Sequence, residues 1–168
     1  MQNAKDTFYQ ELRARLGAVN PERTVVVRGV TRPAVVVDEN ETESVASLPD
    51  CFHLSWGEVT VVNEGPMPLV SCVCEVRYGT SGTAVNGGMD RGRVLAAMDW
   101  ELLMSVGQWP QNAVKQDFSA LAHGGSVEAM STRVWWSDVV LGTVKQVADR
   151  ISRSATVQVM SFVEAGER

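Results

Sequence analysis

The chain has 168 residues, of which 45% are apolar, and its 15 basic against 20 acidic side chains leave a formal net charge of -5. That length suits a single domain with one core, 1–168, and no run approaches the roughly 18 consecutive apolar residues of a membrane-spanning helix. The acidic balance argues against a surface that grips nucleic acid through its phosphates. Three cysteines, an odd number, do not make a disulfide framework. With no charged-then-apolar leader at the start, they suit a reducing cytoplasm.

Asn3, with Asp6 three residues on, reads as the cap of a first helix whose apolar stripe is Phe8, Leu12, Leu16 and Val19, ended by Gly17 and Pro21. Two β-rich runs follow around Gly29, Thr24 to Arg28 and Pro33 to Val37. Pro33 confines the second to a strand start or an edge. Both runs are continuous rather than alternating, which predicts cover on both faces over part of their length. The insertion 38–50 carries Asp38, Glu39, Glu41, Glu43 and Asp50 with no Lys or Arg. It reads either as a solvated loop or as an acidic surface with a purpose. Phe52 to Val62 predicts a strand, turned back by residues 63–68 into the next.

That next strand, Leu69 to Tyr78, has Val70, Cys72, Cys74, Val76 and Tyr78 on its core face. The glycine-rich stretch 79–88 breaks all periodicity and reads as a mobile loop. From Met89, the positions Val94, Leu95, Met98, Leu102 and Val106 recur at helical spacing, with Arg91, Asp99 and Glu101 on other faces, up to Gly107 and Pro110. Ala113 to Ala122 fits a short helix carrying Val114, Phe118 and Leu121, stopped by His123-Gly124-Gly125. Arg133 to Trp136 predicts a strand with its two tryptophans on opposite sides. Residues 142–150 suit either a helix or a loop. Ala155 to Val163 alternates as a half-buried antiparallel strand.

No pattern marks a catalytic or cofactor site. Cys51 and His53, with Cys72 and Cys74 on a neighbouring strand, are ligand types that zinc prefers, but flat strands lack the knuckle that lets ligands converge. Buried cysteines acting as small apolar residues are the simpler reading. Gly82 to Gly88 lacks the Gly-Lys-Ser/Thr of a phosphate loop, and Gly79 to Gly82 misses the nucleophile-elbow spacing. His53 and His123 have no carboxylate or nucleophile marked beside them by sequence. One member of the pair Trp135 and Trp136 is a candidate partner contact, since an extended chain turns them to opposite sides.

The order of elements resembles that of the tail terminator proteins of tailed bacteriophages. It comprises an N-terminal helix, a strand, Arg32-Pro33-Ala34-Val35-Val36-Val37 running into an acidic stretch, the strand Val70 to Tyr78, a loop, the helix Met89 to Val106 and the last strand Ala155 to Val163. The resemblance implies an α+β fold, a mixed or mainly antiparallel sheet with two to three helices packed on it, in a structural virion protein, not an enzyme, that forms a homohexameric ring at the head-proximal end of the tail tube. Such a ring ends tube polymerisation and offers a docking surface to the head connector. Its partners would be further copies of itself, the tail tube protein and a head-completion or connector protein, with no cofactor, no metal and no membrane. It would be made in the host cytoplasm and end in the virion. An adjacent neck or head-completion protein is the alternative within the same particle, and a small metal or thiol enzyme the alternative outside it.

On that reading the ring needs a heterologous interface, to which Gly82, Gly87 and Gly88 of the loop and Trp135 or Trp136 are reasonable contributors. DNA would pass through without specific binding, so Glu39, Glu41 and Glu43 are expected to line or approach the channel.

Overall fold

A computed structural model describes residues 1–38, 48–165 and 167. Helix α1 spans Gln2–Val19. Strands β1 (Thr24–Val27), β2 (Val30–Pro33), β3 (Val35–Val37), β4 (Phe52–Val62) and β5 (Leu69–Thr80) lead to helix α2, Arg91–Gly107. After it come β6 (Asn112–Asp117), β7 (Glu128–Trp136), β8 (Val140–Leu141), β9 (Lys145–Val147) and β10 (Arg150–Phe162). The main sheet has the order β3-β4-β5-β10-β7-β6, and β8 and β9 also pair with β10. Only β3 and β4 run parallel among these pairs; every other pairing is antiparallel. The fold is therefore α+β with a mixed, mostly antiparallel sheet.

One large core joins the sheet to both helices. Along β5 the even positions Cys74, Val76 and Tyr78 point to the helices, and the register places Leu54 opposite Val76 and Val157 opposite Cys74 on the same face. Phe8, Leu12 and Leu16 of α1 and Leu95, Met98, Leu102 and Val106 of α2 cover that face. Each such side chain contributes about 1.5–3 kcal/mol by leaving water. Trp136 closes the far end, its ring 5.5 Å from that of Phe8 and its indole N–H donating to the Val106 carbonyl at 3.1 Å. The Arg15 guanidinium stacks 4.8 Å over the Trp136 ring and donates to the Gln108 and Pro110 carbonyls at 2.6 and 2.8 Å, tying α1 to the chain beyond α2.

Five expectations are corrected. Asn3 lies inside α1, which starts at Gln2, and its carbonyl accepts from the Thr7 hydroxyl. Gly17 does not end the helix either, which continues to Val19. The run 24–28 is not a doubly covered sheet strand. β1 and β2 form a separate ribbon turned by Arg28 and Gly29, both at positive φ (50° and 80°), as the tight hairpin turn requires. The inner side of this ribbon, Val25 and Val27, covers Ala34, Val36 and Cys51, so β3 is the segment buried on both faces.

Residues 113–122 are not a helix: β6 takes 112–117 and a single 3-10 turn follows at Ser119–His123. Pairing with β7 overrides the local apolar spacing, and it turns Lys115 inward, fully buried, where its ammonium donates to the Phe162 carbonyl (2.6 Å) and Glu167 (2.7 Å). Glu101 is buried beside the apolar stripe rather than on another face of α2: Arg23 donates to it through Nε (2.6 Å) and Nη2 (3.0 Å), and Asn20 at 2.7 Å. Residues 142–150, left open between helix and loop, form β9 and the approach to β10.

Candidate functional site

The stretch 79–88 is braced rather than loose. Gly79 and Thr80 end β5, and Ala84–Asn86 makes one 3-10 turn. The Asp90 carboxylate accepts from the Thr83 hydroxyl (2.7 Å), the Thr83 N–H (2.8 Å) and the Asn86 amide (3.1 Å). These donors, the Thr83 hydroxyl first, hold the Asp90 carboxyl down at about 2. Gly82 has φ +76°, and a Cβ there would sit 2.6 Å from Asp90 Oδ1, so this brace accepts only glycine at that place. Gly87 and Gly88 lead into α2, Gly87 exposed and Gly88 half-buried. Beside them Val85 and Met89 are 95% and 92% exposed, the barest large apolar side chains of the described residues.

From there an uncovered apolar surface continues along α2. Its outward positions are Arg93, Ala96, Ala97, Trp100, Leu103 and Met104, and Trp109 beyond its end is 86% exposed. A globular helix ordinarily sets charged side chains opposite its buried stripe, and one that is apolar all round is normally buried all round. α2 is apolar on both sides and covered on one. Sequence reasoning found the inner stripe and missed the outer one. The signal lay in Leu102-Leu103-Met104, three adjacent apolar residues that no single helix face can hold.

A second uncovered apolar surface lies at the far end of the β4–β5 hairpin. The register shifts between Trp56 and Val59, and residues 57–67 beyond that bulge are exposed throughout. Val59 and Val61 pair with Cys72 and Val70, so they lie on the helix side of the sheet past the reach of the helices. This arm carries Glu58 and Glu64 and no basic residue.

The tryptophan pair divides as the alternation requires. Trp136 is core, which removes it as a contact candidate; Trp135 faces the other way, half-buried against Phe162 with ring centroids 5.8 Å apart. Glu39, Glu41 and Glu43 lie outside the described residues. The segment's flanks are joined by His53, whose Nδ1 meets Asp38 at 3.1 Å and whose Nε2 meets the Leu48 carbonyl at 3.3 Å; Arg77 also pairs with Asp38.

The four soft-ligand residues do not converge. His53 pairs with Arg77 in the β4–β5 register and Leu54 with Val76, so Cys51 and His53 face one side of the sheet, Cys72 and Cys74 the other. Among the described residues no group of three or more His, Cys, Asp or Glu is placed to hold a metal ion. Burial, with Cys72 nearby, pushes the Cys74 thiol well above its ordinary range, which makes it a poor thiolate near neutral pH. Burial likewise pushes Tyr78 up, assisted by the bond its hydroxyl donates to Asp99 at 2.6 Å.

No protein-family model matches this chain, and no curated protein matches it. No helix among the described residues is long and apolar enough to cross a membrane.

Proposed function

We propose that this chain is a structural subunit that closes with copies of itself into a ring, in the manner of a phage tail terminator, capping the tail tube and presenting a surface to the head connector. The observation that carries the reading is α2, apolar on the face away from the core and continuous with the bare Val85 and Met89. Leaving such a surface in water forgoes about 25 cal/mol for each Å² that a neighbour would cover. A ring requires two different complementary patches on each subunit, and the α2 face and the β4–β5 arm are two such patches. The work done is steric and interfacial, with no bond chemistry. The acidic segment 38–50, which includes Glu39, Glu41 and Glu43, is assigned to the DNA channel, where it repels phosphate.

Native mass spectrometry over a concentration series tests this. A closed oligomer, a hexamer on this reading, that also halts elongation of tail tube protein in a length assay is the expected result. A protein that remains monomeric at every concentration and leaves tube growth unchanged would remove it.

A further inference from the structure

Resting on that reading, the geometry points to the identity of the ring contact: the β4–β5 arm of one copy lies across the outward face of α2 of the next. Two observations select this occupant. The arm's helix-side surface, Val59 and Val61, continues the sheet face that the helices cover elsewhere, so it is shaped to receive a helix and has none of its own. The charges are complementary as well. Among residues 57–67 the charged side chains are Glu58 and Glu64, while Arg93 is the one charged side chain among the exposed positions of α2. None of the three makes an ion pair among the described residues. Joining them buries apolar surface against apolar surface and sets acid beside base at the rim.

The contact is also heterologous. The arm lies beyond the helices at one end of β4, whereas the α2 face lies on the outside of the helix layer, so no subunit can satisfy its own arm. Each copy therefore gives an arm to one neighbour and receives one from the other, the arrangement that closes into a ring when the rotation permits.

The test uses the full chain carrying Val61→Cys and Leu103→Cys together, treated with a short bismaleimide; both positions are exposed, and the three native cysteines are buried. The expected result is a covalent ladder reaching the full oligomer, with neither single variant passing beyond a dimer. An oligomer of unchanged size in native mass spectrometry that yields no ladder would overturn the arm contact while leaving the ring reading intact. In a separate chain, Glu58→Arg with Glu64→Arg should weaken assembly about tenfold, by the loss of exposed ion pairs, and adding Arg93→Glu should restore it. Assembly of the arm variant at wild-type concentrations would also overturn the contact. A wild-type chain that never associates, with or without tail tubes, would remove both this contact and the ring.

Discussion

The two helices rest on the same face of one sheet, bury the same kind of stripe, and differ in what they show to water. Of α1 only Gln2, Ala14 and Ala18 stand exposed, and its polar side chains are paired one turn apart: Gln2 donates to Asp6 at 2.8 Å, Arg15 to Glu11 at 3.0 Å, and Arg13 to the Tyr9 hydroxyl at 3.3 Å. The outer side of α2 offers Ala96, Ala97, Trp100, Leu103 and Met104. The first pattern is that of a helix finished within its own subunit. The second is the surface that the proposed ring would cover, because nothing about folding alone favours five apolar positions in water. On the proposed ring, stability and assembly fall on different sides of the same element, and variants can separate them.

The largest expected loss comes at the inner side of α2. Glu101→Ala leaves the Arg23 guanidinium in a half-buried place without its carboxylate, and should cost about 3–5 kcal/mol in urea unfolding. Leu102→Ala opens a cavity in the core and should cost about 2–5 kcal/mol, with Leu12→Ala in α1 costing a similar amount, because inward the helices are alike.

A smaller loss is expected at Glu164, which accepts from the Thr132 hydroxyl (2.6 Å) and N–H (2.8 Å) and the Ser131 hydroxyl (2.9 Å). These bonds, the Thr132 hydroxyl first, hold its carboxyl down to about 2 from an ordinary 4.5. The folded value lies below the unfolded one, so this stabilisation is present above pH 4.5 and disappears as pH falls towards 2. Glu164→Gln should cost about 1–2 kcal/mol near neutral pH. It should also flatten the fall in urea midpoint across that acid window; an unchanged profile would mean that other carboxylates govern it.

The smallest change in monomer stability and the largest contrast between the helices lies outside. Trp100→Lys in α2 and Ala14→Lys in α1, both at exposed positions, should each move the unfolding free energy by about 0.5 kcal/mol or less. If the chain forms the proposed ring, only the first should lower its mass in sedimentation, and equal effects of the two on assembly would erase the difference between the helices.

How far the sequence carries depends on whether a side chain's partner is near in the chain. The core face of β5, the alternation of β10, the opposed tryptophans and the inner stripe of α2 were all legible, since each follows from a period of two or of 3.6 acting locally. Residues 113–122 were misread because their local spacing fits a helix, while β7 supplies the hydrogen bonds that make them a strand. Lys115 and Glu101 look like surface charges in any window of sequence. Their partners, Glu167 and Arg23, stand 52 and 78 residues away.

By itself, then, the sequence determined most of the element types and their inward stripes, through periodicity and composition, while residues 113–122 and 142–150 escaped it. Tertiary structure alone decided three things: which end of the β4–β5 hairpin outruns the helices, that Cys51 and His53 face away from Cys72 and Cys74, and that the outer side of α2 stays uncovered. Each depends on strand register or on one layer's reach over another. Those are set by the summed packing of distant segments, and no local pattern encodes them.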